Sequence, residues 1–314
     1  MSKLARKLVL SVLTVVLTVI ALGTTTFAWF TLTNTTVIQP FEVEVTSSTG
    51  FQMALGTPDA GFENELTWVN VLTATDIAAY IQQTYGTLRL NAVTTNDGST
   101  FYSVDMNAAS PASTGAYLTL PINFRSQQQL QIQVSAITFP GALNPTFSWT
   151  ADQPFVTAQN QSVTSGDIIE GLYAPDAVRV AFVGVQVGGA GTVPVLAYEL
   201  PGSETNVYLG GGATPLDLSY LTVAGDDLGA AGNINYYARK NGGNQPFGSD
   251  AVSVLETITT IANNPIYNLQ PLVTSGQAYY GRVLLRIWIE GWDANMYDPL
   301  LSAKISVSFS FIGV

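Results

Sequence analysis

Hydrophobic and polar positions along the chain alternate with a period of two far more often than they recur at helical spacing. In residues 41–45, Phe41, Val43 and Val45 face one way and Glu42 and Glu44 the other, the pattern of a half-buried strand. Residues 46–50 read as a turn and 51–55 as a second strand, so the two are expected to form a hairpin. Residues 130–137 set Leu130, Ile132, Val134 and Ala136 opposite Gln131, Gln133 and Ser135. Residues 281–292 form a long strand with Val283, Leu285, Ile287 and Ile289 on one face. Its other face carries Leu284, Arg286, Trp288 and Glu290, which places Arg286 and Glu290 as a same-face ion pair around Trp288. Residues 304–312 close the pattern, with Ile305, Val307, Phe309 and Phe311 inward and Ser306, Ser308 and Ser310 outward.

Other segments are less regular. Residues 116–124 read as a strand that carries Pro121, which predicts an edge or a bulge there because proline cannot donate to a ladder. Residues 178–187 are strand-like and mostly apolar, as expected near a sheet centre. Shorter strands are expected at 88–93, 101–104 and 193–200, while 251–262 fits helix or strand equally. Residues 140–163 look irregular, anchored by Trp149 and Phe155. Helical spacing is clear in residues 73–85, where Ile77, Tyr80, Ile81 and Tyr85 share a face. Thr73 and Asp76 resemble a capping box with Asp in place of the usual Glu, and Gly86 is placed to end the helix. Together these elements predict an all-β fold, mainly an antiparallel β-sandwich or jelly roll, with one or two short helices.

A different pattern precedes the body. Lys3, Arg6 and Lys7 are followed by an apolar run over residues 8–22, bounded by Leu8 and Leu22, and no charge appears again until Glu42. As a helix, residues 8–30 would reach roughly 34 Å, close to the about 30 Å of a bilayer core. Residues 1–30 therefore read as a signal peptide or an N-terminal membrane anchor, with the cations on the cytoplasmic side. Thr26 and Ala28 offer a cleavage site, while Trp29 and Phe30 offer an interfacial aromatic belt if the segment is retained. Residues 31–314 would then be one exported β-sandwich domain, at the cell surface or outside the cell, with a Gly-rich excursion at about 201–248.

Composition narrows the chemistry. Of 314 residues only 11% are charged and 47% are apolar, and the net charge is −11. Without Lys3, Arg6 and Lys7, eight basic residues face 22 acidic ones. Such a surface argues against nucleic-acid binding, which needs a basic patch. There are no cysteines and no histidines, which removes disulfides, the usual zinc sites and the Ser-His-Asp triad. Glu170, Glu199 and Glu256 show no pairing that would suggest a glycosidase. The glycine runs at 188–191 and 210–212 lack the lysine of a phosphate loop. No catalytic or cofactor-binding residue is expected, and the chain does not read as an enzyme. Glu290, Asp293 and Asp298 bracket a turn and are the oxygen donors that a Ca2+ site would use; an ordinary solvated turn is the preferred reading. Asp226 and Asp227 invite the same comparison. Trp288 reads as a core or sheet-covering residue rather than a sugar platform. Tyr236, Tyr237, Tyr279 and Tyr280 read equally as interface aromatics or partly buried tyrosines.

The N-terminal residues carry a resemblance. Lys7, the apolar run 8–22, the sequence Gly-Thr-Thr-Thr-Phe-Ala-Trp-Phe at 23–30 and the strand at 41–45 are similar to those of camelysin/TasA-type exported biofilm-fibre subunits. That resemblance implies processing near Ala28, a jelly-roll-like sandwich and fibre assembly by donation of an N-terminal strand.

The expected role is a structural subunit of an extracellular or cell-surface assembly: a fibre, a pilus-like filament or a surface layer. Its partners would be copies of itself, plus the membrane through residues 8–22 if these are uncleaved. The assembly strand would include Thr31, Leu32, Val37, Phe41, Val43 and Val45, since an exposed sheet edge is a template for a neighbour's strand. One alternative is a virion coat protein with a jelly-roll body. A second is a membrane-anchored adhesin or glycan-binding module using residues 201–248.

Overall fold

The computed structural model describes residues 43–47, 50–57, 66–86, 88, 90–95, 98, 100–103, 115–156, 162–186, 195–200, 255–257, 264–271, 278–291, 293 and 296–314. These are mostly strand, with one α-helix. In chain order the elements are β1 (Val43–Ser47), β2 (Phe51–Leu55), β3 (Val71–Leu72), α1 (Ala74–Tyr85), β4 (Ala92–Thr94), β5 (Tyr102–Ser103), β6 (Leu118–Ser126) and β7 (Gln131–Thr138). Then come β8 (Phe147–Thr150), β9 (Phe155–Val156), β10 (Ser162–Val163), β11 (Ile168–Leu172), β12 (Val178–Val185) and β13 (Val195–Glu199). The last are β14 (Leu255–Thr257), β15 (Asn264–Asn268), β16 (Gln270–Pro271), β17 (Tyr279–Glu290) and β18 (Val307–Gly313).

The larger sheet is built around β17, the longest run of alternating apolar residues. β12 pairs antiparallel along one side of it, from Val178 opposite Ile289 to Val185 opposite Arg282. β6 pairs antiparallel along the other, from Tyr279 opposite Ser126 to Ile287 opposite Leu118. β13 extends the sheet beyond β12, and β2 extends it beyond β6. β4 runs parallel to the last residues of β17 and pairs with β5. A five-stranded sheet has the order β15-β7-β18-β1-β3. Two ribbons, β8 with β11 and β9 with β10, complete the described strands.

The core lies where the apolar faces of the two sheets meet. Leu118, Leu120, Ile122 and Phe124 of β6 share it with Val283, Leu285, Ile287 and Ile289 of β17 and with Val307, Phe309 and Phe311 of β18. Phe124 meets Phe311 edge to face at 5.4 Å, and Phe182 meets Phe309 at 5.9 Å and Phe311 at 5.7 Å. Each such ring contributes about 1.5–3 kcal/mol by burial alone.

The helix follows its sequence signals. Thr73 accepts the Asp76 N–H at 3.2 Å, and the Asp76 carboxylate accepts the Thr73 N–H at 2.9 Å, closing the capping box. The Thr73 hydroxyl also donates to this carboxylate at 2.7 Å, and that bond first, then the one from the Thr73 N–H, holds the Asp76 carboxyl below its usual value. Ile77 and Ile81 are buried, and Gly86, at a φ of 66°, ends the helix. The helix also braces β6: the Tyr85 hydroxyl donates to the Thr119 carbonyl at 3.1 Å and accepts the Thr119 N–H at 3.2 Å.

Three expectations change. β1 and β2 do not form a hairpin. β1 runs parallel to β18, Val43 opposite Val307 and Ser47 opposite Phe311, while β2 pairs with β6 in the other sheet. Each strand finds a partner along all five of its residues, and Gly50, at a φ of 125°, turns the chain between the sheets. Pro121, by contrast, keeps the edge position expected of it: β17 pairs opposite it through Leu284, while the β2 pairing has ended at Ile122. Its missing donor costs little because β2 stops at Leu55, opposite Ile122, and the Pro121 carbonyl still accepts from Gly56 at 3.1 Å. In β7 the alternation slips: a register shift between Ser310 and Phe311 buries Ile137 where Ala136 was expected. Residues 140–163, read as irregular, hold strand at 147–150, which pairs with 168–172, and at 155–156, which pairs with 162–163, and residues 255–257 of the ambiguous segment are strand.

Candidate functional site

On β17 the residues that face away from the core do not all face solvent. Trp288 and Glu290 are buried there, and the indole N–H of Trp288 donates to the Glu290 carboxylate at 3.0 Å. Directly opposite Trp288 on β12 stands Arg179, and opposite Arg179 on β13 stands Glu199. Cross-strand neighbours share a face, so the register alone sets a tryptophan, a guanidinium and a carboxylate in one row. Ala181, Ala197, Val93, Phe101 and Ala116 cluster with Trp288 as a second, smaller apolar group.

Arg179 is the hub of this face. Its Nη2 lies 2.6 Å from the Glu199 carboxylate and also contacts the carboxylate of Asp293, which follows β17. Its Nη1 donates to the backbone carbonyl of Asp176 at 3.3 Å. Arg179 is 1% exposed, Glu199 3% and Asp293 0%. Isolated charges at such depth would cost several kcal/mol each, so one guanidinium shared between two carboxylates is what makes the burial tolerable. Two neighbours feel the field. Burial pushes the Asp176 carboxyl up to about 6, against the pull of Arg179. Burial, then the charge of Asp293, pushes the Tyr297 hydroxyl up to about 12.

Beside the cluster, the Arg286 guanidinium lies 5.6 Å from the Phe101 ring and 5.9 Å from Tyr117. Phe101 stacks on Tyr117 at 3.9 Å and meets Trp288 edge to face at 5.2 Å. Trp288 is thus a covered residue, as the sequence suggested, and Tyr280 is buried while Tyr279 is half-buried.

The acidic turn, expected by preference to be solvated with Ca2+ as the lesser reading, instead has Glu290 and Asp293 buried. Asp293 holds Arg179 and Glu290 holds the Trp288 indole, while Asp298 sits half-buried in a short 3-10 turn, Asp298–Ser302. Among the described residues no three acidic side chains converge as a metal site would require. The cluster acts as an electrostatic clamp that ties β12, β13 and the turn after β17 together. Sequence reasoning passed over Arg179 and met Glu199 only as a carboxylate without a pair, although each is a lone charge inside an apolar strand and that was the available signal.

Of the assembly strand, Val43 and Val45 lie in β1; Thr31, Leu32, Val37 and Phe41 lie outside the described residues. So do the junction residues Thr26, Ala28, Trp29 and Phe30, the apolar run 8–22 and the excursion 201–248 with Asp226, Asp227, Tyr236 and Tyr237. Among the described residues no helix is long and apolar enough to cross a membrane. No family model matches the chain, and comparison with curated proteins and with solved structures likewise finds no match.

Proposed function

We propose that this chain is a structural subunit of an extracellular or cell-surface assembly, joined to copies of itself through its N-terminal strand, with the two large sheets as the layers of a β-sandwich of jelly-roll type. One observation carries the reading: β1 is inserted between β18 and β3, parallel to β18, and belongs to a different sheet from β2, its neighbour in sequence. A strand held in this way is separable from the body. Its place between β18 and β3 is a slot that a second copy's strand fits equally well. The resemblance of residues 7–30 and 41–45 to camelysin/TasA-type fibre subunits, the apolar segment 8–22 and the low share of charged residues support export in the same reading.

The test is deletion of residues 31–39 in the exported protein, followed by electron microscopy and sedimentation. Loss of filaments with retention of a folded monomer is the expected result; filaments that survive the deletion overturn the proposal. N-terminal sequencing of the native protein separates a processed subunit beginning near Trp29 from an anchored one beginning at Met1.

A further inference from the structure

Where the chain turns from β1 into β2, a cleft of about 220 Å3 opens beside the end of β6, lined by Gln52, Asn70, Arg125, Ser126 and Gln127 among others. Among the described residues no acidic side chain lines it, although the chain as a whole carries a net charge of −11. Arg125, the cation among these lining residues, is held in place on two sides. The Arg125 guanidinium lies 4.5 Å from the centre of the Trp68 ring, and its Nη2 donates to Gln52 Oε1 at 2.5 Å. Gln52 and Tyr280 are its register partners on the two neighbouring strands. Tyr280 in turn packs against Trp68 at 6.0 Å.

A guanidinium has five N–H donors in a planar fork. Gln52 takes one, and the half-buried Arg125 that carries the rest lines the cleft. Ser126 is already engaged, donating to the Gly50 carbonyl at 2.8 Å and accepting from Gln128 N–H at 3.1 Å. The indole N–H of Trp68, under the guanidinium, is buried without an acceptor. A buried donor left in this state costs about 1–3 kcal/mol. Among the described residues the site therefore presents a fixed guanidinium, with more donors than Gln52 takes, and no carboxylate to meet it.

We propose that this cleft binds a carboxylate, with Arg125 as the anchoring cation. A carboxylate matches the fork with two parallel hydrogen bonds and one compensating charge. Stacking on Trp68 and the bond to Gln52 fix the guanidinium beforehand, so little side-chain entropy is lost on binding. A dianion such as phosphate would bring a second charge that one arginine does not balance. The carboxylate comes either from a free small acid or from an acidic side chain of another copy of this chain; the second source rests on the assembly reading above.

The test uses the full chain with 15N-labelled tryptophan, the Trp68 indole signal being assigned with Trp68→Phe. Sodium acetate is titrated against sodium chloride at equal ionic strength. A saturable shift of the Trp68 signal with acetate alone is expected, weakened roughly ten- to hundredfold in Arg125→Gln, as for loss of a charge-assisted hydrogen-bonded pair. Arg125→Lys, which keeps the charge without the fork, should weaken it less, and unchanged Trp149 and Trp288 signals report that the fold is intact. An acetate effect no larger than that of chloride, or one that persists in Arg125→Gln, overturns the proposal. A Trp68 signal that also depends on protein concentration, and is reversed by acetate, assigns the carboxylate to another copy; one independent of concentration assigns it to a free acid. Acetate binding that survives deletion of residues 31–39 separates this site from the fate of the assembly reading.

Discussion

The side-chain amide of Asn144 pairs with the backbone of Ser306 as a neighbouring strand would: Ser306 N–H donates to Oδ1 at 2.7 Å, and Nδ2 donates to the Ser306 carbonyl at 2.8 Å. Nδ2 also donates to the Pro140 carbonyl at 2.9 Å. Both residues are buried. The amide thus completes the backbone pairing just before β18 begins. Asn144→Ala leaves these backbone groups without partners and is expected to cost about 2–4 kcal/mol, read from the urea midpoint at constant m. Asn144→Asp should cost at least as much, since a carboxylate would face two carbonyls.

Arg179 is expected to be the most sensitive charged residue in the body. Arg179→Met removes the guanidinium that the buried Glu199 and Asp293 carboxylates share, at a cost of about 3–5 kcal/mol in equilibrium unfolding. A loss below about 1 kcal/mol would show that the clamp contributes little. Adding Glu199→Leu and Asp293→Leu to the Met variant should recover much of the stability, because an apolar replacement of a whole buried ionic group is often neutral.

Asp176 gives the pH dependence its sign. Its carboxyl is raised from 3.8 to about 6, chiefly by burial. Between those values the folded protein holds a proton that the unfolded chain has released. The contribution to stability is therefore complete below 3.8 and is lost as pH rises through 6. Relative to Asp176→Asn, the parent should lose up to about 3 kcal/mol across that window. Parallel unfolding curves for the two proteins would contradict this.

Tyr85→Phe tests whether the helix braces the sheet. The phenol serves both backbone groups of Thr119 where β2 no longer reaches β6. Its loss is expected to cost about 1–3 kcal/mol and to speed amide exchange at Thr119 more than at Phe124, which native-state hydrogen exchange would resolve.

Gly281 is close-packed rather than flexible. A Cβ there would stand 2.5 Å from Tyr267 Cδ1 and 2.8 Å from Leu269 Cδ2. Gly281→Ala should cost about 1–3 kcal/mol by overpacking, and Tyr267→Leu in the same chain should relieve part of it.

Local chemistry was legible in the sequence and pairing was not. Thr73, Asp76 and Gly86 bound a helix because capping acts within one turn. Val283, Leu285, Ile287 and Ile289 announced their buried face because alternation is a property of the strand itself. The partner of β1 could not be read, since nothing in residues 43–47 encodes a parallel neighbour at 307–311. Pro121 signalled a position paired on one side, but not that the end of β2 would make it so. The clamp of Arg179, Glu199 and Asp293 is drawn from three separate stretches and exists only once β12, β13 and β17 are in register. Glu290 and Asp293 drew notice as an acidic turn, but the cation that answers Asp293 lay in a strand that looked uniformly apolar.

The parallel pairing of β1 with β18 also sets the order of events as the chain folds. Contacts this distant in sequence form late, because a long loop must close before they form. The nine-stranded sheet can assemble around β17 while the place beside β18 stays open. Until residues 43–47 arrive there, the edge of β18 is exposed backbone. In the assembly proposed above, the final step of folding and the first step of association would compete for the same row of hydrogen bonds, and their relative rates would decide between a closed monomer and a joined pair.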